Sequence, residues 1–243
     1  MQTNASHRAG IVVSGAGRLA VGWAIRTQLP RPAPMTDASL SRPQLRRLLR
    51  RARRALSPSE QRQAARGLYR QLAQNPLFRR ARHISLYLPT DGEIDPRLLL
   101  RAAQRRGKAT YLPVLSAWPR TKMVFQRVRP GEKLRPNRFR ILEPRVNVAR
   151  QRKVWALDLV LLPLVGFDDV GGRLGMGGGF YDRSLAYLAR RQNWRKPTLL
   201  GLAHECQKVE RLDQASWDVP LQATVTDGRW YFAEQAPLEG SGA

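Results

Sequence analysis

Residues 159–188, LVLLPLVGFDDVGGRLGMGGGFYDRSLAYL, decide the fold, because they read as a buried strand, a glycine-rich loop and a helix in direct succession. The apolar run at 159–162 has the length of a strand, and Pro163 closes it. Seven glycines then fall within the fourteen residues 166–179. One face of the following helix is marked by apolar residues at helical spacing, namely Tyr181, Leu185, Leu188 and Ala189.

This order of elements can cradle a phosphate. Glycine lets backbone N–H groups approach an anion closely, and the helix N-terminus adds partial positive charge. Arg173 and Asp182 flank the loop and suit a phosphate and a divalent cation. The loop has no lysine and is not a Walker loop, and Phe180 stands where the dinucleotide fingerprint needs its last glycine. A flexible loop capping a buried strand is the alternative, but so many glycines around one arginine favour a functional site.

The length and composition predict one folded domain with a tail. Of 243 residues, 42% are hydrophobic and 25% charged, which supports a sizeable core. No run approaches the roughly 18 consecutive apolar residues of a membrane span, so no membrane association is expected. Cys206 is the only cysteine, which excludes an intramolecular disulfide and favours a reducing, cytoplasmic location.

The formal net charge of +25 suggests a nucleic-acid-binding protein as one alternative, since clustered cations displace counterions from phosphate backbones. Only six of the basic residues are lysines, as a coding bias towards arginine would give. The arginines are spread from Arg8 to Arg229 without a recognisable nucleic-acid module. We therefore expect no specific nucleic-acid partner, only non-specific binding at low salt.

The N-terminal region is basic and contains no acidic residue before position 37. This composition fits a transit peptide or a disordered extension, and the low apolar periodicity favours the extension. We expect the extension to cover residues 1–38, with Met35 as the working start. A folded domain should cover 39–236, and a flexible tail 237–243.

Capping boxes predict the first two helices. The sequences SRPQ at 41–44 and SPSE at 57–60 each begin one, and the second continues to about residue 74. Arg42 and Arg46 stand four residues apart on the first helix, so both guanidinium groups can point at one target. A solvated basic face is the alternative.

The rest of the chain alternates between strand and helix patterns. A strand at 83–88, a helix over about 96–106 and a strand at 109–112 predict a parallel pair with a right-handed crossover. Further predictions are an edge strand at 123–128, a long surface connection at 130–154, and strands at 198–203 and 223–226. The expected fold is a single three-layer α/β domain, Rossmann-like, with a mostly parallel sheet flanked by helices.

Ligands of such sheets bind outside the carboxyl ends of the strands. Five polar residues follow predicted strands and should gather at that edge: Glu93, Arg173, Asp182, His204 and Gln207. For His204 alone, a polar group that merely ends a strand is the alternative.

The segment PLVGFDDVGGRLGMGGGFYDR resembles the signature of the 5-formyltetrahydrofolate cyclo-ligase family. Other blocks resemble the family in family order: RPQLRRLLRRARRALSPSE, GEID, RGK before YLPV, ILEP, GLAHECQ and WDVPL. The resemblance implies an ATP-dependent, Mg²⁺-requiring enzyme that converts 5-formyltetrahydrofolate to 5,10-methenyltetrahydrofolate. The formyl oxygen would take the γ-phosphoryl group, and N10 would then attack that carbon and expel phosphate.

The resemblance also implies roles for particular residues. Arg173 and Tyr181 would be catalytic, with the arginine stabilising charge on the transferring phosphoryl group. Asp182 and Asp218 would hold Mg²⁺, since oxygen ligands suit a hard cation. ATP would contact Arg42, Pro43, Gln44, Leu45, Arg46, Arg173, Leu174, Gly175, Met176, Gly177, Gly178, Gly179, Phe180 and Tyr181. The folate would contact Leu88, Glu93, Met176, Gly177, Gly178, Gly179 and Phe180.

Two loop residues depart from many members of that family, which carry an aromatic or basic residue in place of Met176 and tyrosine in place of Phe180. Phe180 can therefore act only by stacking or packing, and Met176 only by apolar contact. The adjacent aspartates at 168–169 are expected to form a turn, not a metal pair. A zinc site at His204 and Cys206 is not expected, because no further ligands cluster with them.

We expect a monomer whose partners are 5-formyltetrahydrofolate and ATP. Two alternatives stay open. One is a basic protein whose glycine loop clamps a nucleic-acid phosphate. The other is an ATP-dependent enzyme that activates a different formyl or carboxyl substrate.

Overall fold

In a computed structural model of the chain, an eight-stranded mixed sheet with helices on both faces forms the centre of the folded unit that the structure describes. The structure describes residues 40–116, 118, 122–190, 197–213 and 219–233, which all lie within one compact unit. The expectations for residues 1–38 and 237–243 fall outside this part. Among the described helices, none has the length and apolar character needed to cross a membrane.

Capping interactions begin the first helices as predicted. The Ser41 N–H donates to Gln44 Oε1 at 2.9 Å, and the box at 57–60 shows the same reciprocal pairing. The proline after Asn75, expected only to end a helix, also begins a short one, because the Asn75 side chain accepts from the Leu77 N–H. The described helices are α1 (Arg42–Arg54), α2 (Pro58–Ala73), α3 (Pro76–Arg80), α4 (Arg97–Arg105), α5 (Phe180–Leu185) and α6 (Tyr187–Arg190).

The described strands are β1 (His83–Ser85), β2 (Ala109–Leu115), β3 (Met123–Val128), β4 (Leu134–Pro136), β5 (Leu142–Pro144), β6 (Gln151–Arg152), β7 (Leu159–Pro163), β8 (Gly166–Phe167), β9 (Arg173–Leu174), β10 (Thr198–Leu202), β11 (Ala223–Val225) and β12 (Trp230–Phe232). The large sheet has the order β12-β11-β10-β7-β1-β2-β3-β6. The strands from β11 to β2 pair in parallel, and the outer pairings are antiparallel. The mostly parallel α/β sheet is thus confirmed.

Strand β7 lies in the middle of this sheet, between β10 and β1. Residues 159–162 are all buried, because helices cover both faces of the sheet at this point. A strand buried on both faces needs a continuous apolar run and not an alternating one, which explains the sequence LVLL. On one face Leu161 packs with residues of α2 to α4, and on the other Leu162 packs with Leu185 of α5.

Several predictions about the strands need correction. Strand β3 is not an edge strand, because β6 pairs with it from inside the predicted surface connection. That connection also contains the β4–β5 hairpin. The first strand ends at Ser85, although the Leu86 N–H still donates to the Tyr111 carbonyl. Strand β12 was not predicted at all.

Candidate active site

Helix α1 packs over the carboxyl edge of the sheet and forms one wall of the candidate site. Leu45 and Leu49 are buried in a cluster with Val165, which follows β7, and with Leu174 of β9. Arg53 continues the same stripe four residues later and is fully buried. The helix therefore turns a buried guanidinium, as well as apolar side chains, towards the edge where ligands of such sheets bind.

The glycine-rich loop consists of a tight hairpin followed by an exposed turn. Strands β8 and β9 pair, and buried Asp168 holds the connection between them by accepting from the Gly172 N–H at 2.6 Å. The turn role expected for Asp168 is confirmed. Residues 175–178 are exposed, and Gly177 has a φ of +95°, a conformation that favours glycine.

The two arginines on the first turns of α1 bind separate segments at the border of the site. Arg46 Nε donates to the Gly175 carbonyl at 2.8 Å, and Arg42 Nη1 donates to the Asp213 carbonyl at 2.7 Å. These two bonds join the helix to the glycine loop and to the chain after Val209. These contacts hold the two guanidinium groups at different segments, and a shared target for them stays a prediction.

The other residues expected to bind ATP differ in whether their side chains are buried or exposed to solvent. The side chains of Leu45 and Leu174 are buried in the cluster beneath α1, so only their backbone can face a nucleotide. The Gln44 side chain caps the helix. Pro43 and the exposed glycines at 175–178 are open to solvent. The backbone of the loop is thus the accessible part of the predicted phosphate cradle.

Arg173 is the charged group at the base of this loop. Arg173 is only 8% exposed, and its Nη2 forms an ion pair with Asp182 Oδ1. Its Nη1 is buried and has no hydrogen-bond partner among the described residues. A buried guanidinium nitrogen without an acceptor is costly unless a ligand supplies one. The geometry therefore favours an anionic ligand beside Arg173.

Asp182 follows the loop on α5 and is half-buried. Its Oδ2 makes no hydrogen bond with any described residue, whereas Oδ1 holds Arg173. Asp218, the second predicted metal ligand, lies outside the described residues. Within the described part, no group of three or more histidine, cysteine, aspartate or glutamate side chains is placed to hold a metal ion.

Arg53 organises a charged cluster that the sequence analysis missed. Its Nη1 donates to the Leu164 carbonyl at 3.0 Å, and its Nε donates to the Asp91 carbonyl at 2.8 Å. Its Nη2 donates to Asp91 Oδ2 at 2.8 Å and lies 3.8 Å from Glu93 Oε1. One guanidinium thus ties α1 to the loops that follow β1 and β7. The available signal was its place in the apolar stripe after Leu45 and Leu49.

Asp91 is the anionic centre of this cluster. Burial opposes its ionisation, but hydrogen bonds from Arg50, Arg53 and Arg54 outweigh burial and lower its pKa to about 2. Its backbone has a φ of +54°, which is uncommon for a residue other than glycine. The cluster therefore fixes the loop after β1 in an unusual conformation.

Glu93 projects from that loop into the site. Burial raises its pKa, while hydrogen bonds from Thr90 and the charge of Arg53 act in the opposite direction. Burial also raises the pKa of Tyr181 well above its ordinary value, as does the charge of Glu93, whereas Arg173 lowers it. The Tyr181 hydroxyl consequently stays protonated at neutral pH and can donate a hydrogen bond but not act as a base.

His204 follows β10 and is buried, and its Nε2 has no partner in the described part of the chain. Burial lowers its pKa to about 4, helped by the charge of Arg53, although a hydrogen bond with the Gly92 backbone opposes the shift. The imidazole is therefore neutral at pH 7. Gln207 Nε2 donates to the carbonyls of Leu164 and Val165 at 2.7 and 3.0 Å. Glu93, His204 and Gln207 thus meet around the ends of β1, β7 and β10, as predicted.

Apolar residues complete the surroundings of the loop. The Phe180 ring packs edge-on against Phe139, from the turn between β4 and β5, with ring centroids 6.3 Å apart. Met176 is 52% exposed, and its sulfur lies 3.9 Å from Arg53 Nη2. Leu88, predicted to contact substrate, is half-buried after β1. Packing roles for Phe180 and Met176 agree with these positions.

Known proteins are similar to this chain in sequence and in fold. The family model for the 5-formyltetrahydrofolate cyclo-ligase family matches residues 38–227. The chain is 39% identical over 184 residues to the 5-formyltetrahydrofolate cyclo-ligase of Escherichia coli strain K12, covering 75% of this chain and 98% of that protein. It is also 39% identical over 182 residues to the Haemophilus influenzae protein of the same name, covering 74% and 94%.

A comparison with solved structures leads to the same group of proteins as the comparison of sequences. The solution structure of Aquifex aeolicus 5,10-methenyltetrahydrofolate synthetase matches with a TM-score of 0.68 and 28% identity, covering 82% of this chain and 97% of that one. The family model and the relatives cover the helix, loop and strands that build the site described above. The chain belongs to the 5-formyltetrahydrofolate cyclo-ligase family.

Proposed function

We infer that this protein is a 5-formyltetrahydrofolate cyclo-ligase, which uses ATP to close 5-formyltetrahydrofolate to 5,10-methenyltetrahydrofolate and releases ADP and phosphate. Its relatives carry that name. The structural observation that carries the proposal is Arg173, a buried guanidinium in the glycine loop with one nitrogen that finds no acceptor within the described part of the chain. A γ-phosphoryl oxygen is a suitable acceptor for it.

The residues have distinct parts in the reaction. The formyl oxygen attacks the γ-phosphorus and ADP departs, which turns a poor leaving group into phosphate. N10 then attacks the formyl carbon, and the C–O bond breaks with release of phosphate. Arg173 stabilises charge on the phosphoryl group as it moves, while the exposed glycine backbone at 175–178 and Arg46 hold the phosphates of ATP.

Glu93 and Tyr181 suit the folate side of the site. Glu93 Oε2 accepts from the Thr90 N–H at 3.0 Å, and its Oε1 lies towards Arg53 at 3.8 Å. A fixed carboxylate of this kind can accept hydrogen bonds from the pterin amino and ring N–H groups. Tyr181, which stays protonated, donates to the substrate, and Leu88, Met176 and Phe180 supply apolar contact.

Asp182 fits a Mg²⁺ ion that accompanies ATP. Mg²⁺ is held in nucleotide sites by one or two carboxylates together with phosphate oxygens and water, and Asp182 Oδ2 is available beside Arg173. Asp218 is proposed as the second carboxylate. Mg²⁺ would neutralise negative charge on the phosphates. Asp182 would at the same time keep Arg173 oriented.

We also propose a monomeric, cytoplasmic enzyme without a specific nucleic-acid partner. The catalytic domain would cover residues 39–236, between a basic N-terminal extension and a short flexible tail. These proposals rest on the composition and on the residue range that the family model matches.

The decisive experiment follows the near-ultraviolet absorbance of the methenyl product from 5-formyltetrahydrofolate and Mg-ATP. Product should require both ATP and metal. Arg173→Ala should reduce kcat by about a hundredfold or more while the fold persists, as removal of a transition-state donor does. Arg66→Ala, which removes an exposed arginine from α2, away from the glycine loop, is the control. Equal turnover by Arg173→Ala and wild type would refute the role of Arg173. Bound ATP without product would favour a different formyl or carboxyl substrate.

A further inference from the structure

Arg183 of α5 lies against the exposed turn of the glycine loop, although it has no part in the reaction as proposed so far. Its Nη2 donates to the Gly178 carbonyl at 2.5 Å. Its guanidinium also stacks over the Phe180 ring, with 5.3 Å between Cζ and the ring centroid. The side chain is exposed to solvent, yet these two contacts fix it against the segment that precedes it.

The backbone beside Arg183 leaves room for this guanidinium. Gly179 has a φ of +59°, a left-handed conformation that favours glycine. A Cβ atom at Gly179 would lie 2.8 Å from Arg183 Nη1. Any larger side chain at this position would therefore push the arginine away from the turn, so the glycine permits both the conformation and the contact.

Arg46 of α1 holds the other end of the same turn. Its Nε donates to the Gly175 carbonyl at 2.8 Å, and its Cζ would lie 3.5 Å from a Cβ atom at Gly177. Two arginines from two different helices thus bind the carbonyls of the first and last residues of the turn 175–178. Both helices pack on the core through buried leucines, so the turn is fastened to the folded domain at each end.

Holding these carbonyls determines the direction of the neighbouring N–H groups. The C=O and N–H of one trans peptide point in opposite directions, so the N–H groups of Met176 and Gly179 face away from the arginines. No N–H group of residues 176–179 donates to an acceptor in the described part of the chain. Successive N–H groups around residues of positive φ, here Gly177 and Gly179, form a concave site for an anion.

We propose that Arg183 is a positioning residue for the phosphates of ATP, an inference that rests on the proposed function. It acts through the turn: by holding the Gly178 carbonyl, it keeps the N–H groups in their binding orientation before the nucleotide arrives. ATP then binds a turn that is already ordered, which favours affinity. Arg173, at the buried base of the loop, acts on the transferring phosphoryl group instead. Loss of Arg183 therefore weakens ATP binding, whereas loss of Arg173 slows the reaction.

The test measures the Kd for Mg-ATP by calorimetry without folate, and KM and kcat for both substrates by the absorbance of the methenyl product. Arg183→Met keeps a flexible side chain that can pack on Phe180 but cannot donate to the Gly178 carbonyl. Arg183→Lys keeps a donor and the charge. The matched control is Arg66→Met, the same substitution at an exposed position on α2, away from the loop. Urea unfolding verifies that every variant is folded.

Arg183→Met should raise both the Kd and the KM for ATP by about tenfold, as for the loss of one charge-assisted hydrogen bond near the surface. Its kcat and its KM for the folate should change little, because the reacting groups are untouched. Arg183→Lys should recover part of the lost affinity, and Arg66→Met should behave like the wild type.

A Kd for ATP in Arg183→Met equal to that of Arg66→Met would overturn the positioning role and leave the proposed function intact. Equal losses of affinity for ATP and folate would also overturn it, since they indicate a general effect on the fold. If the wild type binds ATP but does not convert 5-formyltetrahydrofolate, the proposed function fails, and the Kd values alone decide the role of Arg183. A wild type that neither binds ATP nor forms product would overturn both.

Discussion

At the scale of single residues, Arg53 shows how one buried charge can determine a site. It is fully buried, and its guanidinium faces four oxygen atoms, which belong to Leu164, Asp91 and Glu93. Lysine at this position would keep the charge but could not reach separate acceptors in the fixed fork of a guanidinium. The arginine therefore serves as a geometric link between α1 and two active-site loops, as well as a counter-charge.

Replacing Arg53 should destabilise the protein strongly. In Arg53→Met, Glu93 and the Leu164 carbonyl lose a buried partner, and removal of one member of a buried ionic cluster costs about 3–5 kcal/mol. Arg53→Lys should lose less, because the charge is retained. Urea unfolding of both variants measures the difference. Arg51→Met, on the exposed side of the same helix, is the control. A stability of Arg53→Met equal to that of the control would mean that the cluster is dispensable.

Asp182 permits a second prediction at this scale. Asp182→Asn removes one carboxylate from the proposed metal position. The Mg²⁺ concentration that gives half-maximal activity should therefore rise at least about tenfold over that of the wild type. The matched control is Asp169→Asn, which makes the same change at an aspartate paired with Lys208 on the surface. Activity is titrated with Mg²⁺ at fixed ATP. A metal titration unaltered from that of the control would remove Asp182 from the metal site.

At the scale of elements, α2 approaches the turn between β11 and β12 so closely that only glycine fits at position 67. A Cβ atom there would lie 2.6 Å from the Asp227 carbonyl oxygen and 2.7 Å from Asp227 Cβ. Gln71, one turn later, donates to the Gly228 carbonyl at 2.8 Å. The contact is thus made by backbone and cannot yield as a flexible side chain would.

Gly67→Ala should therefore destabilise the protein, although alanine favours helix by about 1 kcal/mol. Overpacking costs about 1–3 kcal/mol, and the rigid partner places this case at the upper end. Thermal or urea unfolding should show a net loss of about 1–2 kcal/mol. Gln63→Ala, one turn earlier at an exposed position, should change stability by less than about 0.5 kcal/mol. A gain in stability for Gly67→Ala would show that the turn can move away.

Elements with local causes were predictable from the sequence, and those with distant partners were not. The capping boxes lie within four residues of the helices they begin, and the run at 159–162 shows its burial directly. Strand β6 has only two residues and exists because β3 is beside it, so no local pattern marks it. The same holds for the site. The glycine loop is a sequence motif, whereas the burial of Arg53 depends on three segments that meet only in the fold.

At the scale of the whole molecule, the buried ionisable groups give stability a characteristic dependence on pH. The folded-state pKa of His204 is lowered from 6.5 to about 4, so between these values the unfolded chain binds a proton that the folded chain refuses. Asp91 acts in a separate range, because its pKa is lowered from 3.8 to about 2. The raised pKa of Glu93 has the opposite effect on stability, because it makes the folded state more stable as pH falls.

The wild-type protein should accordingly lose stability in two stages as pH falls. The His204 stage runs from about pH 6.5 to 4 and amounts to roughly 3 kcal/mol, reduced by the opposing effect of Glu93. The Asp91 stage follows below about pH 4. In His204→Gln the first stage should disappear while the second persists, because glutamine does not titrate. The free energy of unfolding in urea is measured for both proteins down to about pH 2.5 for the second stage and from pH 7.5 to 4.5 for the first. Its slope against pH does not depend on any constant loss from the substitution. Parallel slopes across this range would show that His204 is not kept neutral by the fold, and that the Arg53 cluster tolerates a second cation beside it.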